Sequence, residues 1–462
     1  MKRRSAATFV LLPICSLLVL LACNIAGPPP PPTIVPRASA TPPPTIGFAT
    51  LAPDEYPQQA TQIAPVPVQP NNNLLSLMNQ VDADRMFVHI DSLVGMQSRR
   101  VNSSLNGDGL GIGAAETYLI NEFARIRDQS YQNTFSFFSQ EFPFSVDDTS
   151  GIGRNIVGVL QGTNSDRHVI VLGAHYDSIS YNFTDSAAYA PGANDNASGI
   201  AALLEIARIM SQRSHNVTVF FVAFSAEEIR RQGSISFVEW LNREGYTVDS
   251  MLDMDIIGSS TGPDGAINDR EIRVYSAGDN NSRSRQLARV LNLIAVREVS
   301  DMKIVVQDAL DRENRYSDHQ SFSDAGMPAV RFIEALEDAS RQHSDRDTID
   351  DIQATYLVRA TKTILACMTS LADGPSSPQN ISLRENGNGT RTLVWERAPS
   401  ATGYVVALRA SEGLIFRDYF ETGDTTVTWE GFYASRYVAL AIASVDENGL
   451  MGPMSFEYAI AS

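Results

Sequence analysis

The sequence predicts an α/β domain, a mostly parallel mixed sheet covered by helices on both faces, followed by a small all-β sandwich. Three observations carry this. Short apolar runs rich in β-branched residues, such as Val169-Ile170-Val171-Leu172, alternate with helical patterns over roughly residues 80–372. Strands buried on both faces read in this way. After Asp373-Gly374-Pro375 the chain turns to short strands separated by Gly, Asn and Asp turns, as a sandwich does. Residues 27–70 are Pro, Thr, Ala and Ser for the most part and have too few large apolar side chains to bury a core.

The first segment reads as a processing signal. Lys2, Arg3 and Arg4 precede an apolar run over 8–21, shorter than the about 20 residues a membrane span needs. The run closes on Leu20-Leu21-Ala22-Cys23, which resembles the lipobox of bacterial lipoproteins. The resemblance implies a signal peptide over 1–22, a lipid on Cys23 and an extracytoplasmic protein anchored to the cell envelope membrane. Cys15 falls in the removed segment, so Cys367 is the one remaining thiol and no intramolecular disulfide is expected. Cys367 shares a helical stripe with Tyr356, Ala360, Ile364 and Leu371 and reads as a small buried apolar residue. Residues 23–73 form a Pro-rich linker, including five successive prolines from Pro28 to Pro32. Such a stretch favours polyproline II and acts as a semi-rigid spacer.

Residues 74–374 form the α/β domain. Met86, Ile90, Leu93 and Val94 have helical spacing, and 114–126 is a second amphipathic helix. The strand at 169–172 leads to a helix over 198–210 with Ile200, Leu203, Leu204 and Ala207 on one face. A strand at 217–224 is followed by a helix over 233–241. Further strands lie at 251–257, 272–276 and 329–333, and a helix over 349–371 closes the domain. Residues 375–462 supply strands at 392–395, 404–409, 425–429 and 437–445. Leu393-Val394-Trp395-Glu396 and Gly403-Tyr404-Val405-Val406 give this part a resemblance to fibronectin type III domains. As a separate fold without a catalytic cluster, it is expected to be dispensable for turnover and to bind an unidentified surface or polymer.

The net charge of −17, from 36 basic and 53 acidic residues, argues against nucleic acid as a partner. The chemistry gathers where strands end. The first strand runs into His175-Tyr176-Asp177, the second into Ser225-Ala226-Glu227-Glu228, and the third carries Asp253 and Asp255 before Gly258. Asn194-Asp195-Asn196 opens a helix between the first two. In open α/β sheets the site lies outside the carboxyl ends of the strands, so these segments converge. His nitrogen and carboxylate oxygen are zinc ligands, and a two-ion site needs about five such groups with one shared.

Taken together, these segments resemble the two-zinc exopeptidases, the family of secreted bacterial leucine aminopeptidases, glutamate carboxypeptidase II and, more distantly, glutaminyl cyclase. The resemblance implies two Zn²⁺ per chain, His175 and Asp255 on one ion, Glu228 and His343 on the other, and Asp195 between. It makes Glu227 the general base and Asp177 the carboxylate that orients His175. His343 stands in Gln342-His343-Ser344-Asp345-Arg346-Asp347-Thr348, matching a segment the family writes His-x-x-x-Asp-Thr. The implied reaction is hydrolysis at the N-terminus of peptide substrates through a bridging hydroxide, with Glu227 carrying the proton. Some members place Tyr directly before the final His as an oxyanion donor; here that position is Gln342.

His319, in Ser317-Asp318-His319, also matches a family segment near the site without being a ligand. His89 reads as a surface or packing residue, and His168 and His215, ahead of strands, as solvated. Alternatives to an aminopeptidase are a glutaminyl-peptide cyclotransferase, which needs one zinc, a carboxypeptidase, which needs a cationic pocket, and a non-enzymatic surface adhesin. His175 together with the Asn194-Asp195-Asn196 segment favours two ions and hydrolysis. The complete set of ligands and base argues against an inert domain.

Overall fold

The computed structural model describes residues 71–460, apart from 106–108, 147 and 165. The signal peptide, Cys23 and nearly all of the Pro-rich linker lie outside the described residues. Among the described residues, no helix is long and apolar enough to cross a membrane.

The chain opens with helices α1 (Asn72–Met78), α2 (Ala83–Val94) and α3 (Gly111–Gln129), then a hairpin of β1 (Phe135–Val146) and β2 (Thr149–Leu160). The alternation follows: β3 (His168–His175), α4 (Ser198–Met210), β4 (Thr218–Phe224), α5 (Gln232–Glu244), β5 (Thr247–Met254), β6 (Glu271–Ser276) and α6 (Arg283–Glu298). It ends with β7 (Lys303–Val306), α7 (His319–Asp324), β8 (Ala329–Glu334) and α8 (Ala354–Asp373). The strands form one sheet in the order β1-β2-β4-β3-β5-β8-β6-β7. β4, β3, β5 and β8 are mutually parallel, while the β1–β2 hairpin and β6 join antiparallel. The sheet is therefore mixed with a parallel centre, as the sequence predicts.

Side-chain alternation explains the two helical layers. On β3, Ile170, Leu172 and Ala174 point into one core, with Val219, Phe221 and Ala223 of β4 and with helices α2, α3, α4, α6 and α8. Val169 and Val171, with Phe220, Val222 and Phe224, point into the other, covered by Phe237 and Leu241 of α5 and Phe322 of α7. Both faces are buried, so these strands carry no polar residue until their ends. Registers align those ends: His175 lies beside Phe224, Gly173 beside Asp253 and Met254 beside Phe332.

Several elements differ from the sequence expectation. In the α/β domain, α1, the β1–β2 hairpin, α6, β7 and α7 are additions. The strand expected at 251–257 stops at Met254, leaving Asp255, Ile256 and Ile257 outside the ladder, with Ile256 at φ 64°. The helix expected from 349 begins at Ala354, after a single 3₁₀ turn at Ile349–Asp351. Gln353 stays extended because its N–H donates to the Gly258 carbonyl at 2.9 Å and its side-chain oxygen accepts from Ser260 N–H at 2.5 Å. His215 is buried rather than solvated: Nδ1 lies 2.9 Å from Asp373 and Nε2 lies 2.7 Å from the Met210 carbonyl. Cys367 is buried, as expected.

The C-terminal strands are β9 (Ser382–Glu385), β10 (Arg391–Val394), β11 (Gly403–Arg409), β12 (Asp418–Thr422), β13 (Thr426–Trp429), β14 (Ala439–Val445), β15 (Met451–Met454) and β16 (Tyr458–Ala459). They make a three-stranded sheet, β13-β10-β9, and a five-stranded one, β12-β11-β14-β15 with β16 on β14. Leu393, Trp395, Tyr404, Val406, Leu408 and Ile442 fill the space between the two sheets. The opposite face of the larger sheet is also buried. Val405, Ala407, Ala441, Ala443, Val445 and Met451 join the core that contains α6 and α8. The dispensable appendage expected from sequence is, at this face, continuous with the core of the α/β domain.

Candidate metal and active site

Four connections at the carboxyl edge of the sheet, those after β3, β4, β5 and β8, build the site. His175 is the last residue of β3 and is buried. Its Nδ1 lies 3.1 Å from the backbone carbonyl of Asp177, an oxygen that only accepts, so Nδ1 carries the proton. Nε2 is left facing inward, 3.3 Å from Asp255 Oδ1 and 3.3 Å from Asp195 Oδ1. The Asp177 carboxylate stands farther from the ring, at 3.7 Å. It accepts instead from the N–H groups of Glu227 at 3.1 Å and Glu228 at 3.2 Å. The orienting contact expected from the Asp177 carboxylate is thus supplied by its carbonyl, and the carboxylate secures the loop after β4.

Asp195 lies between β3 and α4, where Asn194 and Asn196 moor the chain to the end of β5. Asn194 Oδ1 accepts from Gly258 N–H at 2.8 Å, and Asn196 Nδ2 donates to the Met254 carbonyl at 2.8 Å. Asp347 clamps the same loop from the other side, accepting from Asn194 N–H at 2.7 Å and Asp195 N–H at 2.9 Å. Beneath it, the buried Arg99 donates to the carbonyls of Tyr176 (2.8 Å), Pro191 (2.6 Å) and Gly192 (2.9 Å). One guanidinium thus ties the end of β3 to the Asp195 loop. Nothing in its sequence context marks Arg99, and Asp347 stands out in the sequence only as part of the segment that follows His343.

Glu228 and His343 close the cluster. His343 Nε2 lies 3.0 Å from Glu228 Oε2 and 3.4 Å from Asp195 Oδ2. The His343 carbonyl accepts from Tyr181 N–H at 2.9 Å, and the two rings meet edge to face. Asp255 faces His175 with one oxygen and Arg331 with the other, at 2.8 Å. His319 sits behind, its N–H 3.1 Å from Asp253 Oδ2 and its Nε2 3.0 Å from the Leu310 carbonyl. It is not in the inner cluster.

Three sets of potential donors lie with their atoms within 4.8 Å of one another: His175, Asp195 and Asp255; Asp195, Glu228 and His343; and His175, Glu227 and Glu228. The first two reproduce the pairing implied by the sequence, with Asp195 common to both. Six of the seven residues named from sequence lie in these sets, and the seventh, Asp177, adjoins them through its bonds to the Glu227 and Glu228 N–H groups.

The charge balance asks for cations. Glu228 first, then Asp195, drives His343 up to about 12 against its burial. Burial opposes a charge on His175, yet Asp255 and Asp195 outweigh it and raise its pKa. Burial likewise opposes ionisation of Asp255, and Arg331 and His175 overcome it, holding the carboxyl at about 2. Glu228 Oε1 is buried with no hydrogen-bond partner among the described residues, an acceptor that costs stability unless satisfied. Imidazole and carboxylate donors that crowd together, hold excess negative charge and leave an acceptor spare fit zinc. Glu227 differs: burial, then Glu228, raises its pKa well above the ordinary carboxylate value, the direction that makes a carboxylate a better proton acceptor.

Residues 155–368 match the model of Peptidase family M28. The chain is 28% identical to a "Probable zinc metalloprotease" of Pyricularia oryzae, with 94% of this chain and 97% of that protein covered. A "Probable zinc metalloprotease" of Leptosphaeria maculans is 29% identical, with 77% and 90% covered. Among solved structures, the LapA aminopeptidase of Legionella pneumophila is similar with a TM-score of 0.52 at 18% identity, covering 67% of this chain and 76% of that one. LapB from the same organism gives 0.53 at 21% identity, covering 67% and 77%. These two likenesses speak for the fold of the α/β domain.

Proposed function

We propose that the chain, whose residues 155–368 match the model of Peptidase family M28, is a zinc-dependent exopeptidase acting as an aminopeptidase. The observation that carries this reading is the pair of donor sets sharing Asp195, with Glu227 beside them and outside the pairing. His175, Asp195 and Asp255 would hold one zinc, and Asp195, Glu228 and His343 a second. When bound, zinc polarises a carbonyl oxygen and acidifies water.

The chain's own residues do the rest. Glu227 takes a proton from the attacking water and returns it to the departing amine nitrogen. Asp177 holds the backbone of Glu227 and Glu228 through two N–H bonds, so the proton carrier and its neighbouring ligand move as one unit. Asp347 and Arg99 fix the loop that presents Asp195. Arg331 keeps Asp255 ionised.

The remaining expectations belong to the same proposal. The N-terminal signal and a lipid on Cys23 would place the enzyme outside the cytoplasm on an envelope membrane, with the Pro-rich linker as spacer. Cys23→Ser is expected to release the protein from the membrane fraction or block its processing, and unchanged membrane partition would refute the anchor. The C-terminal strands would form a fibronectin type III-like domain. Aminoacyl-fluorophores and N-blocked peptides, tested on protein of known zinc content, check the activity. Cleavage of free but not N-blocked substrates, abolished by chelation and restored by zinc, is the expected result. Cyclisation of an N-terminal Gln without hydrolysis of any peptide would overturn the proposal.

A further inference from the structure

The pocket that opens onto the metal-ligand cluster is rich in arginine, in a chain of net charge −17. Its cavity, about 260 Å³, is lined by Asp195, Glu227, Glu228, Asp255 and His343, and also by five arginines. The arginines are not equivalent. Arg331 is committed to Asp255 at 2.8 Å and Asp311 at 2.9 Å. Arg312 pairs with Asp311 and Glu337. Arg315 reaches Glu337 only at 3.4 Å and keeps 31% of its side chain exposed.

Arg230 and Arg231 make no side-chain hydrogen bond or close ion pair among the described residues, and Arg231 Nε is buried without a partner. Asp324, an acid outside the pocket that feels the Arg231 charge, is not within ion-pair distance. Both follow Glu227-Glu228-Ile229 directly. The Arg231 N–H donates to the Glu227 carbonyl at 2.8 Å, closing a turn that seats the arginines beside the proton carrier. Both have left-handed backbone, φ 70° and 57°, a conformation non-glycine residues rarely adopt and that recurs at functional sites.

An unpaired guanidinium beside a reaction centre has a definite complement. Its planar fork of donors matches a carboxylate with two parallel hydrogen bonds. Among the acids of the pocket, Asp195, Asp255 and Glu228 face the two histidines and Arg331, and Glu227 lies with His175 and Glu228. We propose that Arg230 and Arg231, with Arg315, form a subsite for a substrate carboxylate next to the scissile bond, so that the preferred substrates are acidic peptides. This rests on the peptidase reading and specifies its substrate class. The carboxylate has two possible sources: an Asp or Glu side chain at the N-terminal residue, or the free C-terminus of a dipeptide.

Binding separates this inference from the activity itself. Glu227→Gln protein, loaded with zinc, is titrated calorimetrically with Glu-Ala-amide against Gln-Ala-amide, and with Leu-Ala against Leu-Ala-amide. The first pair reports the side-chain source and the second the C-terminal source. Tighter binding of the carboxylate member in either pair, by about tenfold as for a charge-assisted hydrogen bond, is expected. Introducing Arg230→Gln and Arg231→Gln should erase that difference without lowering the melting temperature, and Arg315→Gln should reduce it. In enzyme with Glu227 intact, the loss should appear in KM for the acidic substrate and spare its neutral isostere. Equal binding within both pairs would overturn the subsite even if every peptide is cleaved. A preference that survives the double substitution would also overturn it. Preserved carboxylate preference with no cleavage of any peptide by the unsubstituted enzyme would refute the peptidase reading and leave the subsite standing.

Discussion

Glu457→Gln tests whether the C-terminal sheets are part of the enzyme's folding unit. Glu457 lies between β15 and β16 and receives two arginines: Arg289 of α6 at 2.6 Å and Arg409 of β11 at 2.9 Å. The side chains are nearly sealed, at 0% exposure for Arg289, 3% for Glu457 and 7% for Arg409. Burial already pushes the Arg289 guanidinium down to about 10, with Glu457 the largest opposing influence. Removing the carboxylate charge leaves two buried cations facing an amide. Breaking a buried ion pair in this way costs about 3–5 kcal/mol, well above the roughly 0–1 kcal/mol of an exposed pair. Because Val405, Ala441 and Met451 share a core with α6 and α8, the cost should fall on the whole of 71–460. Urea unfolding followed by both fluorescence and loss of peptidase activity should show one transition, moved to lower urea in the variant. A loss below about 1 kcal/mol, or a sandwich transition that moves while the activity transition stays, would refute the shared core. On the same reasoning, deleting 375–462 exposes apolar faces of α6 and α8 and should give insoluble or inactive protein.

Glu227→Gln should retain its metals and lose at least the ~10²–10⁴-fold in kcat of a missing general base, whereas Glu228→Gln should lose metal and respond partly to added zinc; metal analysis beside kcat for the two variants checks this. Asp347→Ala frees the N–H groups of Asn194 and Asp195 and should weaken zinc affinity by the ~10–100-fold typical of lost supporting contacts, read in a competitive chelator titration. His89 is held neutral, at about 4, by burial first and then by Arg125, Arg85 and Arg208. Its folded pKa lies below the unfolded value, so its contribution to stability is present above about 6.5 and lost as pH falls towards 4. Melting temperature against pH should therefore drop less over that window in His89→Gln than in the unsubstituted protein.

What was legible in the sequence follows from where information is local. β3 and β4 are sealed on both faces, so their runs are apolar without interruption and their polar ends stand out. The β1–β2 hairpin was hidden because its apolar face is made of spaced aromatics packed over glycines. Phe142 pairs with Gly153, where a Cβ would meet the ring at 2.6 Å, and strand glycines read as turns. α6 was hidden because Arg285, Arg289 and Arg297 are buried in it, their partners lying in Asp308, Glu457 and Glu421. The inner ligands were legible as motifs at strand ends. Arg99 was not, since its acceptors at Leu93, Tyr176, Pro191 and Gly192 are backbone carbonyls that leave no mark in residue type. The arginines of the pocket are visible as residues, but only the fold puts Arg312 and Arg315 in one pocket with Arg230 and Arg231.

A two-ion site with Asp195 shared is tested most directly by zinc stoichiometry in the unsubstituted protein and in His175→Ala, His343→Ala and Asp195→Ala. Two zinc per chain are expected, with one tight zinc retained when either histidine is removed and both bound more weakly when the shared Asp195 is removed. A single zinc in the unsubstituted protein, unaffected by His175→Ala, would contradict the two-ion site.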